Sequence, residues 1–508
     1  MTLTPARATN LKDYGDFQTP PALVVEILAA LERVGGHYPR VLEPTCGRGH
    51  FIAGLLDRPA PPQEIVGLEI QPEHAKIARS LESRLISTRL VVETADLFLV
   101  NLGRDLGWNC DGPLLVVGNL PWVTTAALGA SGGTNGPTRS NIKGLRGIDA
   151  RTGASNFDIS EAIWLKLIRE LAPQRPTIAL LCKSAVARAV LKGVRAADLP
   201  ITRATIWRID APRWFRASVD ACLLRVEVGL GPKAIEAEVF EQLSDLVPGT
   251  TLGLGGDRLI ADLDTYRKVA FADGPSPLNW RQGLKHDASP VMELTAREGG
   301  LFRNKQSEVV EVEEEYVYPL LKGTDLGGSP AIRPARSVLV TQRRLGEDTR
   351  SLALQAPRLW SYLVAHSEAF EQRKSSIYRG RPPYCMFGVG DYSFAPFKVA
   401  VSGMHKVPRF RLVEAIDGRP TMLDDTCYFL PCRTLEQATL LVELLNSPVA
   451  LGLLRALAFS DAKRPITKAL LQRIDLKEIL AHLGKESLWR DEWATDWIKP
   501  RPLLGLEG

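Results

Sequence analysis

A chain of 508 residues is longer than one hydrophobic core can fill, so two or three domains are expected. Its 45% hydrophobic and 24% charged content is that of an ordinary globular protein, without a signal peptide or an apolar run long enough to span a bilayer. Seven cysteines without a Cys-x-x-Cys pair indicate neither a disulfide framework nor a zinc site, and the net charge of +5 is small.

The first predicted element is an amphipathic helix over residues 22–33, introduced by Asp16-Phe17-Gln18-Thr19-Pro20-Pro21. Thr19 is placed as its N-cap and Pro20 at its first helical position. Next, Arg40 to Phe51 reads as a strand, a glycine turn and a helix start. Gly47 and Gly49 allow a ligand close to the backbone, as in nucleotide-binding βα turns. The spacing is not Gly-x-Gly-x-x-Gly and no phosphate-cradling lysine follows, which favours a nucleoside over a pyrophosphate.

Two further strands, 65–70 and 90–93, carry Glu69 at the first tip and lead to Asp96-Leu97 after the second. An acid at the second strand's tip can accept both hydroxyls of a ribose, and an acid with an apolar neighbour can hold an adenine ring. Each alone is equally a strand-end cap. In the stretch Leu114 to Val123, LLVVGNLPWV, four aliphatic residues read as a short buried strand that Gly118-Asn119 breaks, and Asn119-Leu120-Pro121-Trp122 follows. An Asn amide oxygen and a neighbouring carbonyl make two acceptors aimed at one point, with a flat indole beside them. That set suits a planar ring bearing an exocyclic amine, although an isolated tetrapeptide of this kind is better explained as a turn with one core Trp.

In this order the motifs resemble those of the gamma-class DNA adenine-N6 methyltransferases of restriction–modification systems, most clearly from Phe17 to Val228. The resemblance implies an α/β fold: a Rossmann-like S-adenosylmethionine-dependent methyltransferase domain over residues 1–230. A C-terminal α+β DNA target-recognition domain would cover residues 231–480, with a tail from 481 to 508. It places Thr19, Pro20, Glu43, Pro44, Gly47, Gly49, Glu69, Ile70, Asp96 and Leu97 around S-adenosylmethionine. Asn119 and Leu120 would accept the hydrogens of the target amine, with Pro121 and Trp122 completing the catalytic motif. Phe215 would be the second aromatic that sandwiches an extruded base, with Trp214 as its competitor. Leu120 stands where the family usually has proline, which leaves an extra backbone N–H and puts the rigidity of the loop in question.

A Gly/Ser/Thr-rich loop over 124–155, containing Lys143 and Arg146, is read as a flap that orders on DNA. Helix 157–171 and strands 177–182, 204–209 and 221–228 follow. Gly229 to Pro232 reads as the end of the first domain and residues 234–246 as helical. Strands are expected near 316–326 and 337–344, and residues 435–459 read as strongly helical. From Ala331 to Arg411 there are 14 Lys and Arg against 5 Asp and Glu. On charge alone a solvated face explains this best; beside the resemblance it points to duplex DNA as the partner. The candidate contacts are Lys285, Arg343, Arg344, Arg373, Lys374, Arg379 and Arg381. His286-Asp287 is expected at DNA rather than in catalysis, since no nucleophile motif surrounds it.

No metal is called for. A monomer in a prokaryotic cytoplasm is expected, with any restriction endonuclease separately encoded. The competing readings are cytosine-N4, RNA or protein-glutamine methylation, and a catalytically inactive DNA-binding relative.

Overall fold

The computed structural model describes residues 18–84, 87–122, 158–234, 236–256, 258–296, 302–328, 334–459 and 461–494. The chain divides into two compact units, Met1–Leu263 and Asp264–Gly508.

The first unit is built on a ten-stranded sheet, numbered in chain order. Its strands are β1 (Arg40–Glu43), β2 (Glu64–Glu69), β3 (Arg89–Thr94), β4 (Leu114–Asn119), β5 (Thr177–Lys183), β6 (Ile201–Ile209), β7 (Ala221–Val228), β8 (Glu236–Phe240), β9 (Thr250–Gly255) and β10 (Arg258–Ile260). They lie in the order β10-β9-β8-β6-β7-β5-β4-β1-β2-β3. β1 through β5 are mutually parallel, and β7 inserts antiparallel between β5 and β6. β2 is buried along its whole length, as a parallel strand covered on both faces must be. The order reverses between β1 and β4, which lie side by side with Leu42 opposite Val116. Ligands of open α/β sheets bind at such a reversal, beyond the carboxyl ends of the strands.

Three expectations change here. The segment 234–246 is not helical; it contributes β8, whose Ala237, Val239 and Phe240 are buried. β8 pairs parallel with β6, and Phe240 stands opposite Trp207 with the rings stacked at 5.6 Å. Cross-strand packing of that kind outweighs local helix preference. The sheet of the first unit therefore continues past residue 230, where the sequence placed a boundary, to Ile260. The N-terminal helix is Pro21–Arg33, with Pro20 rather than Thr19 at the N-cap and Pro21 at its first position. A second proline already fits that slot, so the first is displaced by one residue and the Thr19 hydroxyl makes no cap.

Among its described residues the second unit holds two sheets. One contains β12 (Glu293–Ala296), β13 (Phe302–Asn304), β14 (Val309–Val310), β15 (Val317–Leu321), β16 (Arg336–Leu339) and β19 (Met422–Leu423). The other is ordered β11-β20-β17-β18, from β11 (Arg281–Gln282), β17 (Phe397–Ser402), β18 (Arg411–Glu414) and β20 (Cys427–Cys432). The expected helix over 435–459 is two helices, Leu435–Leu445 and Pro448–Leu457, bent by 58° at Asn446-Ser447. Proline at 448 cannot continue the first helix but suits the first turn of the second. No single described helix is long and apolar enough to cross a membrane.

Lys398, on β17, is 1% exposed, and its ammonium donates to the Ala395 carbonyl at 2.9 Å. Burial lowers its pKa from 10.5 to about 7. Between those values the unfolded chain binds a proton that the folded chain lacks, so this residue makes stability rise with pH above about 7. Urea unfolding should show the wild-type midpoint rising from pH 7 to pH ~8.5 relative to Lys398→Met; parallel profiles would contradict the assignment.

Candidate active site

The turn after β1 depends on two left-handed glycines, Gly47 at φ 53° and Gly49 at φ 80°. A Cβ on Gly47 would lie 2.9 Å from the Gln18 amide, and one on Gly49 would lie 2.9 Å from Leu81 and 3.1 Å from Ala78. The left-handed dihedral favours glycine at each position, and at Gly49 the Ala78 backbone and Cβ crowd the space as well. The Gly47 N–H donates to Glu69 Oε2 at 2.8 Å, and the Gln71 N–H donates to Oε1 at 2.8 Å. One buried carboxylate thus joins the β1 turn to the tip of β2. Gln18 Oε1 accepts from the Arg48 N–H at 3.3 Å, and His50 Nδ1 donates to the Thr19 carbonyl at 2.7 Å. Gln18 and His50 were not singled out in the sequence; membership of the Gln-Thr-Pro and glycine-turn segments was the only available signal.

Beneath this turn, Glu43 is 2% exposed. Its carboxyl accepts from the Ile52 N–H, and burial, with the nearby Glu69 charge, pushes it well above the usual carboxylate range. Among the described residues Glu43 Oε2 has no hydrogen-bond partner. Gly118 lies directly above: a Cβ there would stand 3.3 Å from Glu43 Cγ. Pro44 is buried beside it. At the outer strands Asp96 Oδ1 accepts from the Phe98 N–H at 2.9 Å, Leu97 is buried, and Ile70 is an exposed apolar side chain next to Glu69.

Asn119, the last residue of β4, leads into a fastened loop, Leu120-Pro121-Trp122. The Thr45 hydroxyl donates to the Asn119 carbonyl at 3.0 Å and the Ser160 hydroxyl to the Pro121 carbonyl at 2.7 Å. The Leu120 N–H, which a proline would lack, donates to the Leu181 carbonyl of β5 at 3.2 Å. This bond ties the loop to β5 at the position where the family usually has proline. Asp158 supports Ser160 by capping helix Ile159–Leu171 through the Ser160 N–H at 3.1 Å, and it pairs with Lys183 at 2.9 Å. Thr45, Ser160 and Lys183 come from separate elements, so sequence spacing could not have gathered them.

Trp122 meets Phe215 edge to face, with centroids 4.9 Å apart and planes at 64°. Phe215 ends the short helix Ala211–Phe215, which Asp210 caps through the Arg213 N–H. Trp214 turns to the Arg213 guanidinium, 4.6 Å from its ring. The two expected rings are therefore neighbours, but they touch instead of facing each other across a slot.

In the second unit the expected basic contacts separate into two groups. Arg373 is structural: its guanidinium donates to the Cys385 carbonyl at 2.7 Å and lies 3.7 Å from the Tyr378 ring centre. Arg343 covers Phe394 at 4.2 Å, and Arg344 is 3.3 Å from Asp391. Lys285 lies 3.5 Å from Asp287. Lys374, Arg379 and Arg381 are exposed, whereas Lys143 and Arg146 lie outside the described residues. His286 is not at a surface. It is 8% exposed, accepts from the Ala288 N–H, and burial lowers its pKa to about 4. Among the described residues no His/Cys/Asp/Glu group has the arrangement of a metal site. A cavity of about 490 Å³, lined by Leu31, Tyr38, Leu55 and Leu115, lies at the opposite, amino-terminal end of β1 and β4.

No protein-family model matches the chain. The chain is 35% identical over 470 residues to the Type II methyltransferase M.NspV of Nostoc sp. (strain ATCC 29411 / PCC 7524), covering 92% of this chain and 97% of that protein. Its fold is similar to that of the Type IIL restriction-modification enzyme MmeI, solved in complex with DNA, with a TM-score of 0.56 and 14% identity. That match covers 92% of this chain and 69% of the solved one.

If the Leu120 N–H is what restrains the loop, Leu120→Pro should be no benign reversion. It forfeits the bond to Leu181 and a fully buried side chain, and should lower unfolding free energy by about 2–4 kcal/mol in urea titrations. A variant as stable as wild type would refute this.

Proposed function

The chain belongs to the DNA methyltransferases of restriction–modification systems and uses S-adenosylmethionine; from that premise we propose that it methylates adenine at N6 in double-stranded DNA. The observation that carries the reading is the fastening of the β4 loop. Hydroxyls engage the carbonyls of Asn119 and Pro121, while β5 holds the Leu120 N–H. The Asn119 amide oxygen and the Leu120 carbonyl are then the acceptors fixed at the strand's end.

The residues fit the cofactor. Glu69 already accepts two N–H bonds, and a carboxylate has about four acceptor sites, so two are left for the ribose hydroxyls. Asp96 spends one oxygen on Phe98 and keeps the other for the adenine amine, with exposed Ile70 and buried Leu97 as apolar cover. The bare backbone of Gly47 and Gly49 gives close approach, and the buried Glu43 oxygen lacking a described partner marks a polar floor. Thr19 and Pro20 would lie near the cofactor's methionine end, and Pro44 would complete the wall. Bound S-adenosylmethionine supplies an electrophilic methyl group on a sulfonium.

The N6 amine faces the interior of a duplex, so the base must leave the stack to be reached. Asn119 and Leu120 each accept one amine hydrogen, which draws the nitrogen toward tetrahedral geometry and releases its lone pair for attack. Trp122 and Phe215 part to take the ring, and the broad indole face matches a purine. Positioning and electrostatics supply the rate, and no side-chain nucleophile is required. Cys46, with burial as the main cause of its raised pKa, and the buried Cys182 are therefore bystanders.

Tritiated methyl transfer to unmethylated plasmid tests this directly. Asn119→Ala should lose about 10²–10³-fold or more in rate while still binding DNA. Modified-base sequencing of the product should report N6-methyladenine. Methylation at cytosine N4 would replace the adenine assignment, and DNA binding without methyl incorporation by wild type would indicate an inactive relative.

A further inference from the structure

We infer that residues 403–410, the loop joining β17 to β18, form a DNA-contacting finger of the second unit. Lys406 and Arg409 would rest on backbone phosphates and Val407 would reach base edges. This rests on the reading of the chain as a DNA methyltransferase and picks out, within the basic stretch 331–411, a loop whose residues were not among the candidate contacts.

Topology places the loop. β20 runs antiparallel to both of its neighbours, with Ser402 of β17 opposite Cys427 and Gln282 of β11 opposite Tyr428. The end of β11, the end of β17 and the start of β20 therefore share one end of the sheet. There Gly283 donates its N–H to the Cys427 carbonyl at 3.1 Å and Gly403 to the Thr426 carbonyl at 2.8 Å. The loop thus leaves the sheet at the same end as the segment carrying Lys285.

Both feet of the loop are pinned. A Cβ on Gly403 would lie 2.8 Å from the Tyr428 ring and 3.2 Å from the Ile466 carbonyl, so the chain can pass there only as glycine. At the other foot Asn446 accepts from the Phe410 N–H at 3.0 Å and donates to its carbonyl at 2.9 Å. Phe410 is 1% exposed, and Pro408 is buried. Between these anchors Val407 is 79% exposed and Met404 37%, with Lys406 and Arg409 exposed around them. Single exposed apolar residues are common; one held at the tip of a pinned loop between two cations is a shape suited to a groove.

Charge identifies the partner. Residues 403–411 contain Lys406, Arg409 and Arg411 and no acid. Arg411 is occupied, donating to the Leu326 and Gly328 carbonyls, and burial together with the charge of Arg409 lowers its pKa. Neither Lys406 nor Arg409 has a hydrogen bond or ion pair among the described residues. Like charges gathered without a counter-charge are stabilised by a polyanion, and phosphate neutralisation releases counterions.

The test uses the full chain and a fluorescein-labelled duplex fragment of unmethylated plasmid, with anisotropy titrations over a range of KCl concentrations. Lys406→Ala/Arg409→Ala should flatten the slope of log K against log salt by about 2, and weaken binding at moderate salt about tenfold or more. Val407→Ser should keep the slope and raise KM for DNA in methyl transfer several-fold. Lys485→Ala, which removes an exposed cation already paired with Glu443, should change neither. Thermal melting checks that the exposed substitutions leave the fold intact. Wild-type slope and affinity in the double variant would overturn the finger alone. An equal loss in Lys485→Ala would reduce the effect to overall charge and overturn it too. Failure of the wild-type chain to bind any duplex would overturn the DNA reading together with the finger.

Discussion

Two N–H groups from different elements end on the two oxygens of a single carboxylate, Glu69. Hydrogen bonds to a charged acceptor contribute about 1.5–3 kcal/mol each, so this bracket matters to a turn whose two glycines lie in the left-handed region. It locates Gly47 against the tip of β2. Thr45, two residues earlier in the same turn, then holds the carbonyl of Asn119 at the tip of β4. A line of bonded groups therefore crosses the sheet from β2 through β1 to β4, over the point where strand order reverses. The residues proposed to hold the cofactor and those proposed to hold the methyl acceptor are parts of one frame.

Much of that frame was legible in the sequence. Buried parallel strands appear as short apolar runs, and their tips are marked by the polar or glycine residue that ends each run, which located Glu69, Asp96, Gly47 and Asn119. What the sequence hid were contacts made between elements. Nothing in Asn119-Leu120-Pro121-Trp122 shows that the Leu120 N–H is taken by Leu181, or that Thr45 and Ser160 hold the flanking carbonyls. Local spacing does not reveal the strand at Glu236–Phe240, which only its pairing with β6 shows.

Charge was the least legible property. A run of arginines shows where positive side chains are plentiful, not where their charges are exposed. Arg373 is consumed by a carbonyl and an aromatic face, and the aliphatic-looking strand containing Lys398 buries its amine in the core. His286 likewise faces inward, 3.8 Å from Glu293, which is itself held by Lys305 and Lys322. The exposed cations that distinguish a surface, at Lys374, Arg379, Arg381, Lys406 and Arg409, could be separated from these only by geometry.

The contact between Trp122 and Phe215 has a kinetic meaning for the proposed reaction. While no base is present, each ring shields the other's apolar surface, and a pair of this kind is worth about 0.5–1.5 kcal/mol. An incoming nucleobase must exchange that contact for two of its own, each worth about 1–3 kcal/mol by analogy with base–aromatic stacking elsewhere. The exchange favours a fully inserted ring and gives little to one that has only begun to leave the helix. In the proposed reaction the ring pair would therefore act as a latch that rewards complete extrusion, and half-open duplex would pass by without being held.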